Sequence, residues 1–339
     1  MRNELEGLLK TMNSLARSRR LLTTCMLSAA GVFSAAHAAP LPQEILIPGE
    51  RIFPESTTSG PDGSVYFGSI GQKMIFRAKP GAATAEPFVQ AGTDGLESVF
   101  GVFADAKSNT LYACSGVPAF GPPQPGAGPP KPAALRTFDL KTGAVKGTYP
   151  FPSAPSLCND IAVGPDGSAY ATDTLGNQVL RLKKGAKELD VWVAKGGFPP
   201  NAALDGISVL GQRVIVNALG ASKLFSISIE KDGSAGTPAE ITLDKTITRP
   251  DGMRSFGKNS VLLIDGANGG ELSKVTLTDN SGKVDVIKQG YPDGPVAVTV
   301  VGTTAYVLEG QLSGMMRRPG TEPPPPKPFH ATAVEVGKP

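Results

Sequence analysis

The chain has 339 residues, a formal net charge of +3, and 40% hydrophobic and 6% aromatic residues. A balance so close to neutral argues against nucleic acid or an anionic membrane as the main partner. Of the two histidines, His37 falls in the N-terminal 38 residues and His330 in a Pro-rich tail, which all but excludes multi-histidine zinc sites and catalysis by Ser-His or Cys-His pairs.

Residues 1–38 read as a cleaved secretory signal peptide. Arg17, Arg19 and Arg20 precede the apolar run 21–36, and Ala36-His37-Ala38 is a small-x-small cleavage signal. Met12 is an alternative start that gives a more ordinary signal length. No later stretch is long and apolar enough to span a membrane, so a periplasmic or secreted protein is expected. In residues 39–339 acidic and basic residues balance at 28 each, and Cys114, Cys158 and His330 are the remaining cysteines and histidine. Export permits a disulfide between the two cysteines. Two separate buried thiols is the other reading.

Length alone suggests two domains, but a repeat changes that expectation. Six fragments begin at Glu55, Phe100, Asn159, Asp205, Asp251 and Asp293, at spacings of 42–59 residues. Most run as a polar start, a short apolar strand, a turn and a second strand, as in NDIAVGPDGSAYATDT, where Asn159-Asp160 are expected to precede the strand 161–163. Two further strand-like runs follow in each, for example 178–182 and 189–193 in the third. Four strands in about 40–50 residues match one propeller blade. The prediction is a single all-β domain over 39–339, a six-bladed propeller with four-stranded blades. Residues 44–47 and 330–336 are placed to complete the sixth sheet. The Pro-rich insertions 116–131 and 319–328 interrupt the pattern, and the first is expected to form part of a lid.

In such a ring the first strand of each blade lines a central channel. The six fragment starts then share one mouth, and four of them are carboxylates. Asp62 and Asp166, by contrast, fall in hairpin turns at the other end of the blade. Crowded carboxylates resist ionisation unless a cation joins them. An all-oxygen donor set suits one divalent metal, Ca2+ first, with Zn2+, Mn2+ or Mg2+ as alternatives. Collection of turn-forming residues without function is the competing explanation.

The pieces Pro54-Glu55, Asn159-Asp160, Leu204-Asp205-Gly206-Ile207 and Pro250-Asp251-Gly252-Met253 resemble the gluconolactonase–regucalcin (senescence-marker protein) family of six-bladed propellers. The resemblance spans the chain after residue 38. It implies one divalent metal at the channel mouth and hydrolysis of a sugar lactone or related ester. By position it makes Glu55, Asp205 and Asp251 metal ligands and Asp251 the general base. Asn159 would contact substrate or metal. The family's usual Glu-Gly-Pro is Glu55-Ser56-Thr57 here, and Asp205 stands where Asn is common. The implied partner is a small-molecule lactone or ester. Two other readings stay open: a non-catalytic ligand- or protein-binding propeller, and a strictosidine-synthase-like enzyme.

Overall fold

The computed structural model describes residues 41–117, 131–267, 269–315 and 325–339. The predicted signal peptide and most of both Pro-rich insertions lie outside the described residues. The described chain is all-β, with 24 strands and two single-turn helices. No helix among the described residues is long and apolar enough to cross a membrane.

The strands fall into six consecutive sets of four, each antiparallel. The innermost strands are Pro54–Ser59, Ser98–Asp105, Cys158–Val163, Leu204–Leu210, Pro250–Phe256 and Pro295–Val301. Each packs against the next, and the last returns to the first, so the inner strands form a closed ring. Both predicted closing segments are used. Phe329–Glu335 is the third strand of the last set, and Glu44–Ile47 is its outermost strand. Joining the two chain ends in one sheet removes a pair of free edges.

Hydrogen bonding gives five sheets rather than six. Four have four strands, and the fifth has eight because the fourth and fifth sets join at their outer strands. The joint is a short parallel pairing, Thr242 opposite Ser281 and Leu243 opposite Gly282. The outer hairpin of the fifth set, Glu271–Thr278 and Ser281–Gln289, is long enough for its turn to reach the neighbouring edge.

Six apolar clusters hold the ring, each between two adjacent sets. Tyr66, Ile75 and Val89 meet Val99, Val102 and Leu111, for example. Most sheets are therefore covered on both faces. This explains why strands such as Ala169–Asp173 and Gln178–Leu182 are buried at every position. Trp192 is one such contact. Its ring lies 4.6 Å from that of Tyr170, tilted by 60°, and its indole N–H donates to the Gly233 carbonyl of the next set.

The hairpin aspartates act as turn staples. Asp62 accepts the backbone N–H and hydroxyl of Ser64, and Asp166 does the same for Ser168. Cys114 and Cys158 form a disulfide that links the second and third sets across a separation of 44 residues. It spans the cluster containing Phe100, Leu135 and Leu157. Replacing both cysteines by serine is expected to lower unfolding free energy by about 2–4 kcal/mol, measured by denaturant titration of the oxidised protein. A double variant as stable as the parent would show that the bridge constrains nothing.

Candidate functional site

Every inner strand begins with a β-bulge. The register slips between Pro54 and Ser56, Val99 and Val102, Cys158 and Ile161, Leu204 and Ile207, Pro250 and Met253, and Pro295 and Ala297. A bulge re-aims a side chain that a regular strand would turn into the sheet. The first residues inside these six slips are Glu55, Phe100, Asn159, Asp205, Asp251 and Val296, and Gly101, Asp160, Gly206 and Gly252 follow at four of them. Asn159 and Asp160 thus lie inside the strand Cys158–Val163, not ahead of it as the sequence pattern suggests.

Glu55, Phe100, Asn159, Asp205 and Asp251 line one cavity. Asp293 does not join them. Its Pro-Asp-Gly forms a turn before the strand, with the Gly294 N–H donating to Tyr291. The bulge falls three residues later, at Val296, and Asp293 pairs with Lys327 at 2.6 Å. Of the second-strand ends, Asp173 and Asp265 bind loops. Asp173 accepts the N–H groups of Leu157 and Gly176, and Asp265 those of Thr248, Arg249 and Ala267. Asn217 supports the site instead. It accepts the Gly206 N–H and donates to the Asp251 carbonyl.

Glu55, Asp205 and Asp251 each offer an oxygen within 4.8 Å of the others. Small residues allow this approach. A Cβ on Gly206 would meet the Asp251 carbonyl oxygen at 2.5 Å, and one on Gly252 would meet that of Val296 at 2.5 Å. Thr172 also ties neighbouring strands, donating to the Asp205 carbonyl at 2.6 Å. Glu55 and Asp205 are buried, while Asp251 is partly open. Asn159 donates Nδ2 to Asp205 at 3.1 Å and to Thr174 at 3.2 Å. Its Oδ1 is buried without a partner. Together these residues line one cavity of about 280 Å³, walled by Ile70, Phe100, Leu157, Leu219, Leu312 and Met315.

Burial is the main force on all three acids. It pushes the Glu55 and Asp205 carboxyls well above the ordinary range, and charge repulsion from Asp251 adds to both. Burial raises Asp251 to about 7, against a lowering hydrogen bond from the Gly252 N–H. Three carboxyls and an unpaired amide oxygen, with no nitrogen or sulfur donor among them, fit a hard divalent cation.

Beneath this cluster lies a group that the sequence pattern does not reveal. Arg254 forms a buried ion pair with Asp160 at 2.7 Å. It also donates to the Thr57 carbonyl at 3.1 Å, the Val102 carbonyl at 3.0 Å and Ser56 Oγ at 3.2 Å. One guanidinium thus crosses the channel to three other inner strands. Its signal in the sequence is a charge within Pro250–Phe256, a strand otherwise expected to be buried. Arg136, whose position in the sequence suits a strand-edge charge first and an anionic substrate second, binds the carbonyls of Asp94 and Gly95.

No family model matches the sequence, and no curated protein matches it. Solved structures do match. A putative gluconolactonase superposes with a TM-score of 0.60 at 15% identity, over 88% of this chain and 95% of that one. Regucalcin from Agrobacterium tumefaciens, described as a calcium-binding protein, gives 0.57 at 11% identity, over 88% and 96%. Virginiamycin B lyase from Staphylococcus aureus gives 0.57 at 14% identity, over 79% and 81%. The fold is that of gluconolactonase- and regucalcin-like propellers.

Two outcomes test this geometry. Arg254→Met leaves Asp160 charged and buried, and is expected to cost about 3–5 kcal/mol in denaturant unfolding, with partial recovery when Asp160→Asn is added. No loss would mean that the ion pair does not hold the channel. The second outcome concerns pH. Carboxyls raised by folding hold more protons folded than unfolded, so they favour the folded state at low pH and oppose it as pH rises. The melting temperature of chelator-treated protein should therefore fall between about pH 5 and pH 8, and added calcium should remove most of that fall. A calcium-insensitive melting curve over this window would contradict a metal site.

Proposed function

We propose that this chain is an exported, metal-dependent hydrolase of a lactone or small ester, built as a six-bladed propeller with four-stranded blades. The carrying observation is the convergence of Glu55, Asp205 and Asp251 within 4.8 Å in one cavity. The six-blade count treats the eight-stranded sheet as two blades. Its halves meet at only two paired positions, and each half has its own bulged inner strand.

Calcium is the proposed ion. The donors are all oxygen, and His330 is not among the cavity residues. Glu55, Asp205, Asp251 and Asn159 Oδ1 would hold it, leaving room for water or substrate in a shell of about six to eight oxygens. When bound, such a cation supplies Lewis acidity toward an ester carbonyl and makes nearby water more acidic.

The protein groups divide the remaining work. Asp251 is the acid open to the cavity, so it takes the proton from the attacking water and returns it to the leaving oxygen. Glu55 and Asp205 are buried and supply negative charge. Asn159 holds Asp205 through Nδ2, and Asn217 and Thr172 fix the backbone on which Asp251 and Asp205 sit.

The lyase among the structural neighbours is described as catalytically inactive when one histidine becomes alanine. The only histidine among the described residues, His330, sits beside Glu309 at 3.3 Å and does not line the cavity. That supports hydrolysis over histidine-dependent elimination. Export is supported by the signal-like segment 1–38 and by the Cys114–Cys158 disulfide.

Asp251→Asn is expected to reduce calcium-dependent lactone or ester turnover by about a hundredfold to ten-thousandfold. Asp166→Ala, in a hairpin at the opposite end of its blade, should cost about 1 kcal/mol of stability and leave turnover intact. Equal activity losses in two well-folded variants would sink the assignment. Calcium binding with no turnover across a lactone and ester panel would instead identify a non-catalytic binding protein. Turnover that survives full chelation would point to chemistry of a strictosidine-synthase-like kind.

A further inference from the structure

The cavity has two chemically distinct parts. Among the described residues most of its hydrogen-bonding groups are gathered at the acid cluster, with Arg249 beside them, whereas Ile70, Leu157, Leu219, Leu312 and Met315 make the walls. Among the described residues the one wall hydroxyl, on Thr174, is already committed. It donates to the Leu204 carbonyl at 2.6 Å and accepts from Asn159 at 3.2 Å. A polyhydroxylated ring placed here would lose water from several hydroxyls and find few partners for them. An alkyl or aryl body would instead bury apolar surface against apolar walls.

Arg249 also lines this cavity. Its backbone is fully engaged, since its N–H donates to Asp265 at 3.0 Å and its carbonyl accepts from Gly266 at 2.9 Å. Arg249 is an exposed residue, and among the described residues its side chain makes no ion pair within 4.0 Å; its charge is near enough to the acid cluster to lower the Asp251 carboxyl. A fixed positive charge at the mouth of a cation site weakens cation binding. That cost is offset if the charge receives an anion on the substrate, and a guanidinium fork suits a carboxylate.

We infer that the site selects a lactone or ester with an apolar body and one anionic group, most simply a carboxylate, which Arg249 receives. Sugar lactones are then poor substrates. This rests on the hydrolase reading above for the word substrate, but not for the binding chemistry.

Two experiments on the calcium-loaded protein separate these claims. In the first, kcat/KM is measured for gluconolactone, a neutral phenyl-substituted lactone and the same lactone bearing a carboxylate. The carboxylated compound is expected to lead. Arg249→Gln should shrink its advantage over the neutral lactone by about tenfold, through KM rather than kcat. Gluconolactone as the best substrate, or an Arg249→Gln effect equal on both phenyl lactones, overturns the inference. In the second, phenylacetate and phenylacetamide are titrated by calorimetry. Phenylacetate should bind more tightly, and Arg249→Gln should shrink that preference by about tenfold; a preference unchanged in the variant belongs to the cation alone and overturns the inference. If no lactone or ester is turned over, the hydrolase reading fails alone and this titration still decides the inference. Equal binding of the acid and the amide overturns it.

Discussion

Three acidic side chains, two of them buried, are held within 4.8 Å of one another, and the site follows from how the fold sustains that repulsion. Each would ionise more readily in water. None can move away, because each sits at a bulge on a strand locked to its neighbours around a closed ring. Gly206 and Gly252 let the inner strands approach. Asn217 and Thr172 then tie one strand's carbonyls to the next. Free energy gained in the six apolar clusters keeps this unfavourable charge in place. Binding of a cation would recover it.

The same logic explains the layer below. Asp160 adds a further negative charge and raises the carboxyls above it. Arg254 answers that charge at 2.7 Å and joins four inner strands. The channel thus holds an ordered stack, with an ion pair beneath and an acidic cluster at the mouth. Buried pairs of this kind add little net stability, but losing one partner strands the other. Arg254 therefore sets the geometry of the ring more than its overall stability.

Several parts of this arrangement were legible in the residues. Repeated strand–turn–strand fragments identified the sets of four, and their first residues located Glu55, Phe100, Asn159, Asp205 and Asp251. The sixth start misled because Pro292-Asp293-Gly294 copies the letters of Pro250-Asp251-Gly252 in a different register. A turn and a bulge share a preference for Asp-Gly, and only strand pairing separates them. The polar pair Asn159-Asp160 similarly suggests a position ahead of the strand. A bulge puts both inside it and sends their side chains to different tasks, one to Asp205 and one to Arg254.

Sequence alone settled the all-β class, the repeat, and the oxygen-rich character of one end of the ring, because strand periodicity and turn chemistry are local. It left open whether Cys114 and Cys158 pair, which acid lies open, and what neutralises the channel. Those answers depend on contacts between residues such as Asp160 and Arg254, 94 positions apart. The joining of two sheets at Thr242 and Ser281 is of the same kind. No local preference encodes such pairings. They exist only once ring closure has fixed which backbone faces which.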